Sequence, residues 1–234
     1  MKNITALGFI PARGGSTRLP RKNIINLGGK PLVAHTIEAA IKSGCFKKIV
    51  LSTDDEKIIK VGKRYPSLYI DKRPKHLASN TATALETICE YIDRQDLGEF
   101  NSIALMLPTC PFRTVKDIVN GFSLLTRNID SVISVTDYNF PYEMSLDGDR
   151  NNEMKPFFNP SPLTSGNTRS QDQKEYFHPN GAFYISWWSS MLKYRNFFKG
   201  KLRSYYMDKI TSTDIDTPLD LEIARTIYNK HIKK

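Results

Sequence analysis

Apolar residues recur along this chain in two alternating rhythms. A nearly continuous apolar run from Ile4 to Ile10 reads as a buried strand, and Lys48–Ser52, Ser102–Leu107, Asp130–Thr136 and Ala182–Ser186 repeat that pattern. Between them the apolar positions switch to helical spacing: Leu32, Val33, Ile37, Ala40 and Ile41 before a closing Gly44; Leu85, Ile88, Cys89 and Ile92; Val115, Ile118, Val119, Phe122 and Leu125. The first of these helices is predicted to carry Pro31 at its first position. Thr53-Asp54-Asp55-Glu56 opens a further helix with acids at its positive end. Strands alternating with helices predict an α/β fold built on a parallel sheet with right-handed crossovers.

The rhythm breaks between Tyr138 and Phe177. Pro141, Pro156, Pro160 and Pro162, several asparagines and unpaired-looking aromatics replace it. Such aromatics need something to pack against, so 138–177 is expected to be an inserted, loop-rich subdomain in a core made of 1–137 and 178–234.

Candidate chemistry gathers where predicted strands end. The first strand runs into Ile10-Pro11-Ala12-Arg13-Gly14-Gly15-Ser16-Thr17-Arg18-Leu19-Pro20-Arg21-Lys22-Asn23, with four cations at Arg13, Arg18, Arg21 and Lys22. Two adjacent glycines are expected to curl the backbone so that its N–H groups face phosphate oxygens. Gly28-Gly29-Lys30-Pro31 is no Walker A motif, because Pro31 stands where Ser or Thr would hold magnesium. The strand at 102–107 stops at Pro108-Thr109-Cys110-Pro111-Phe112-Arg113, and strand carboxyl ends in open α/β sheets face one crevice. No nearby His supports Cys110 as a nucleophile. Near the far end, Asp214 and Asp216 stand two residues apart in an extended segment, side by side for one hard divalent cation. Thr217, Pro218 and Asp220 then open a helix.

Composition narrows the partners. The chain has 234 residues and a net charge of +10, which suits anionic small substrates, an anionic membrane or nucleic acid. No Lys/Arg run reaches five residues, and basic residues collect at the opening loop and at Lys230–Lys234, so nucleic acid is not expected as the target. Three scattered cysteines form no CxxC pair, which predicts reduced thiols. Ile4–Ala12 lacks the A-x-A pattern of a signal peptide and no run reaches transmembrane length, so a cytoplasmic protein with no membrane partner is expected.

Seven stretches, in order, resemble the CMP-sialic acid synthetase family, the cytidylyltransferases that activate nonulosonic acids. They are Ile10–Ser16, Lys22-Asn23-Ile24, Ser52-Thr53-Asp54, Arg73-Pro74, Pro108–Arg113, Asn180–Tyr184 and Asp214–Thr217. The resemblance implies a Rossmann-like three-layer fold with a mostly parallel mixed sheet and an inserted subdomain that makes a homodimer. It also implies that CTP and an acidic nine-carbon sugar give CMP-sugar and pyrophosphate. On the implied reading Ala12, Arg13, Gly14, Gly15, Ser16, Lys22, Asn23, Arg73, Ala82, Thr83 and Pro108 bind CTP. Arg13, Arg18, Lys22, Asp214 and Asp216 are catalytic, the two aspartates holding Mg²⁺ (or Mn²⁺). Leu107, Arg169, Gln171, Asn180 and Tyr184 line the sugar site.

Three departures bear on the sugar. The family usually has Ser-Lys-Gly in its opening loop, whereas this chain has Ser16-Thr17-Arg18, and Ser16–Pro20 looks like the cytidylyltransferases for the eight-carbon acid Kdo. Leu107 stands where sialate enzymes commonly have Gln. Arg169-Ser170-Gln171-Asp172 resembles the pattern of pseudaminate-type relatives. A Kdo enzyme and a non-enzymatic anion-binding protein remain the alternatives.

Overall fold

Seven of the strands join one sheet: β1 (Ala6–Pro11), β2 (Phe46–Thr53), β3 (Leu68–Lys72), β4 (Ser102–Leu105), β5 (Ser131–Asp137), β6 (Phe177–Trp187) and β7 (Leu202–Tyr206), in the spatial order β7-β5-β6-β4-β1-β2-β3. This computed structural model describes residues 4–79, 81–149 and 153–233; Asn80, inside the connector from Arg73 to Thr83, and Lys234 lie outside them. Strands β4, β1, β2 and β3 are mutually parallel, and β7 is parallel to β5. Strand β6 runs against β4, with Tyr184 opposite Leu105. It also runs against β5: Trp187 N donates to Asp130 O at 3.2 Å, and Ser134 Oγ bonds Phe183 N and O at 2.9 and 2.8 Å. The sheet is therefore mixed and mostly parallel.

Alternation along β1 explains the layers. Ala6 and Ile10 face the side covered by α1 (Leu32–Ser43), α2 (Glu56–Gly62) and α4 (Val115–Leu124), against Val33, Ile37, Ile58, Ile118 and Phe122. Leu7 and Phe9 face the opposite side, under Ile88 and Ile92 of α3 (Ala84–Asp93) and Met191 of α5 (Trp188–Tyr194). Both faces of β1 are fully buried, which is why its sequence is continuously apolar. A third cluster joins Leu19 of the opening loop to Phe112, Ile215 and Leu221 of α6 (Pro218–Ile227). That cluster ties the loop after β1 to the segment carrying the paired aspartates.

Pro31 is not the first helical residue. It closes a small hairpin opposite Asn26 and precedes α1, because Gly28 and Gly29 adopt left-handed φ values of 61° and 90° and turn the chain back on itself. Thr83, Thr114 and Thr217 each form a reciprocal capping box with the acid three residues on. The three cysteines are unpaired. Among the described residues no helix is long and apolar enough to cross a membrane.

The chain forms two compact units, Met1–Val135 with Asn180–Lys234, and Thr136–Pro179. The second unit has little regular structure and is held by rings: Tyr142 lies 5.0, 5.4 and 5.5 Å from Tyr138, Phe158 and Tyr176. The Tyr176 hydroxyl donates to Glu143 Oε1 at 2.7 Å. Phe140 and Phe157 stay exposed, at 63% and 61%.

Candidate active site

The carboxyl ends of β1, β3 and β4 open onto a cavity of about 380 Å³ within the first unit. Arg13, Ser16, Arg18, Lys22 and Asn23 come from the opening loop, Arg73 and Ala82 from the connector after β3, Leu107 and Pro108 from the end of β4, and Asp214 and Asp216 from the stretch before α6. The loop is pinned at several points. Ala12 N donates to Ser52 O at 2.9 Å, Gly14 N to Asp54 Oδ1 at 2.9 Å, and Asn23 Nδ2 to Arg13 O at 2.8 Å. Arg13 itself reaches across to Ser79 O at 2.6 Å.

The glycines of this loop act differently from the expectation. Neither Gly14 nor Gly15 is among the left-handed glycines, and the Gly14 N–H is taken by Asp54 rather than left facing inward. What requires glycine at 14 is close approach: a Cβ there would lie 2.7 Å from the Asp55 side chain, whose carboxylate caps α2. The left-handed turn is made instead by Arg21, at φ 56°, which feeds Lys22 and Asn23 into the cavity. A non-glycine residue held in that region is strained, and such strain gathers at functional sites.

Charges of both signs meet at the aspartates. Lys22 Nζ donates to Asp216 Oδ1 and Arg18 to Asp216 Oδ2. Asp214 is more enclosed. Burial raises its carboxyl above the ordinary aspartate range and the nearby Asp216 adds to that rise, while a hydrogen bond with Thr109 and the Lys22 charge oppose it. Among the described residues no cluster of three or more potential metal ligands exists. Two carboxylates side by side nevertheless fit Mg²⁺, which is commonly held by one or two carboxylates together with substrate phosphates and water.

Two buried arginines frame the cavity. Arg73, 6% exposed, donates to Ser52 O at 2.9 Å; burial lowers its pKa and Asp54 and Asp71 counter that. Arg113, 3% exposed, was legible only as the last residue of the 108–113 turn. Its guanidinium donates to Thr36 Oγ1 and to Leu107 O, and so holds the end of β4 in shape. The Cys110 thiol is fully buried, donates to Thr211 O at 3.4 Å and is pushed up to about 12 by burial, so it is no nucleophile at neutral pH.

Other predicted residues lie elsewhere. Ala12, Gly14, Gly15 and Thr83 support the walls without lining the cavity. Asn180 is buried, donating to Ser212 Oγ at 2.8 Å and accepting from Ala182 N at 3.1 Å, which anchors the start of β6. Tyr184 lines a separate apolar recess of about 160 Å³ with Phe197 and Phe198, bordered by Ala84 and Leu107, which also line the main cavity. Its hydroxyl is raised to about 12, chiefly by burial. Arg169 and Gln171 belong to the second unit, on an exposed turn.

The cytidylyltransferase profile matches residues 7–232. A pseudaminic acid cytidylyltransferase of Campylobacter jejuni is 34% identical over 97% of both chains. The chain belongs to the cytidylyltransferase family. Other relatives of this cytidylyltransferase are an N-acylneuraminate cytidylyltransferase of Escherichia coli, 34% identical over 96% of this chain and 52% of its own length, and a CMP-N,N'-diacetyllegionaminic acid synthase of Legionella pneumophila, 31% identical over 94% and 95%. Its fold is that of a CMP:2-keto-3-deoxy-manno-octonic acid synthetase complexed with CTP, with a TM-score of 0.69 at 16% identity over 97% and 99% of the two chains. The Rossmann-like expectation is met. This nucleotidyltransferase is an enzyme, and the cavity just described is the candidate for its chemistry.

Proposed function

We propose that this enzyme transfers CMP from CTP to the anomeric hydroxyl of a nonulosonic acid, releasing pyrophosphate. The observation that carries the reading is the convergence of Arg13, Arg18, Lys22 and Arg73 with Asp214 and Asp216 around one cavity at the strand ends. Arg13 and Lys22 hold the triphosphate and Asn23 keeps the loop in register through Arg13 O. The sugar oxygen attacks the α-phosphorus, its proton is lost, and pyrophosphate departs on the opposite side. The reaction asks the protein for positioning and for charge stabilisation rather than for a covalent intermediate. Asp214 and Asp216 would hold Mg²⁺, which neutralises phosphate charge when bound.

The sugar we infer is a 5,7-diamino nonulosonic acid in preference to N-acetylneuraminate. Leu107 presents an apolar side chain at the border between the charged cavity and the apolar recess, with no amide to meet a hydroxyl-rich ligand. The recess, walled by Tyr184, Phe197 and Phe198, suits acylamino groups on a deoxygenated sugar. One lost hydrogen bond is worth only about 0.5–1.5 kcal/mol, so a modest ratio of kcat/KM is expected. The enzyme is further proposed to act in the cytoplasm as a homodimer through 136–179, whose exposed Phe140 and Phe157 await a partner surface.

Pyrophosphate release from CTP, UTP, ATP and GTP with a panel of pseudaminate, legionaminate, N-acetylneuraminate and Kdo tests the reading. CTP-selective, Mg²⁺-dependent release with the first two sugars is expected. Release with Kdo alone would replace the substrate, and release with none would overturn the reading.

A further inference from the structure

Asp216 spends both carboxylate oxygens on cations of the opening loop, Oδ1 on Lys22 and Oδ2 on Arg18. The two partners differ in freedom. The Lys22 side chain is only 14% exposed, whereas that of Arg18 is 68% exposed. An exposed ion pair is weak and readily exchanged, because water screens it and a long side chain must be held still to make it. Oδ2 is thus the acceptor that can change partner.

The charge of this corner points the same way. Asp220 adds a third carboxylate beside the pair. Its Oδ2 accepts from Asp216 N at 3.0 Å, Thr217 N at 2.7 Å and Thr217 Oγ1 at 2.8 Å, so it is committed to capping α6. It still contributes its charge, which raises Asp214 and is felt by Arg18. Asp214, Asp216 and Asp220 against Lys22 and Arg18 leave a formal balance of −1, three acids less two cations. Without Arg18 the balance is −2, which a divalent cation neutralises.

We propose that Arg18 and a divalent cation are alternative partners of Asp216 Oδ2, so that Arg18 holds the aspartate pair at low affinity for metal until a triphosphate draws the guanidinium away. The inference rests on the reading of Asp214 and Asp216 as the metal site. Phosphate oxygens suit the planar fork of an arginine and carry more charge than one carboxylate, so the triphosphate competes well for Arg18. Nucleotide and metal then favour each other on the protein by equal factors, beyond their affinity in solution.

Binding of Mn²⁺ alone to the intact protein, read from the EPR signal of the unbound ion, tests this without turnover. Arg18→Ala is expected to bind Mn²⁺ roughly 3–10-fold more tightly than the wild type. Arg21→Gln removes one charge from the same loop but none from the cavity lining, and should change the affinity by less than about twofold. Adding Asp216→Asn to Arg18→Ala should abolish the gain. Unchanged or weaker Mn²⁺ binding in Arg18→Ala, or an equal gain in Arg21→Gln, would overturn the competition and leave the metal reading standing. A gain that survives Asp216→Asn would place the ion elsewhere and overturn both.

Discussion

Asp216 carries a cation on each of its oxygens, while Asp214, two residues earlier, is enclosed and its carboxyl is raised. The two acids therefore respond differently to substitution. Because burial holds Asp214 above its unfolded value of 3.8, the folded chain keeps this proton longer than the unfolded chain does. Its effect on stability is thus unfavourable once pH rises through the folded value, and absent below the unfolded one. Asp214→Asn is expected to raise Tm at neutral pH in metal-free buffer, with the gain fading in acid, while turnover falls by orders of magnitude. A Tm decrease at neutral pH would show that the carboxylate is structurally required.

Arg18 is the other residue whose role can be separated. Thr17 and Arg18 both line the cavity, but Arg18 alone of the two carries charge, and it already meets an aspartate there. Arg18→Ala is expected to lower kcat by roughly 10²–10³-fold, in the range of other transition-state charge donors, and Thr17→Ala by far less. Equal mild losses in steady-state kinetics would leave Arg13 and Lys22 as sufficient.

At the scale of elements, the site depends on a joint far from the sheet centre. Leu19, 7% exposed, packs with Phe112, Ile215 and Leu221, so one small cluster holds three walls of the cavity together. Leu19→Ala is expected to cost about 2–5 kcal/mol in denaturant unfolding and to raise the KM for CTP, because the loop loses its anchor. Thr217→Ala removes a capping box and about 1 kcal/mol, with a smaller kinetic effect.

The same scale shows what the sequence could disclose. Strands β1, β2 and β4 were legible because burial on both faces forces continuous apolar runs. Leu68–Lys72 and Leu202–Tyr206 were not: as edge strands they mix exposed charges and rings with one or two inward positions, which carries little period. The loop cations and the paired aspartates were legible by spacing and position. The burial of Arg113 was not, since it rests on Thr36, 77 positions away. Gly14 was legible as a glycine position, but the reason lies in Asp55, a contact made only on folding, whereas a side chain at 15 would meet nothing within 4 Å.

For the whole molecule, the excursion at 136–179 sets the expected assembly. Light scattering at micromolar concentration should report a dimer, and substituting both exposed rings, Phe140→Ser and Phe157→Ser, should shift it toward monomer without loss of fold. A monomeric wild type would leave those rings without a role.

The excursion leaves from β5 and returns to β6, which are adjacent and antiparallel, bonded to each other at Ser134 and Phe183. Its two ends therefore stand about one strand spacing apart, ~5 Å. Everything from Thr136 to Pro179 is, in connectivity, the tip of a hairpin. A chain so arranged can lengthen, shorten or exchange that tip without rethreading the sheet.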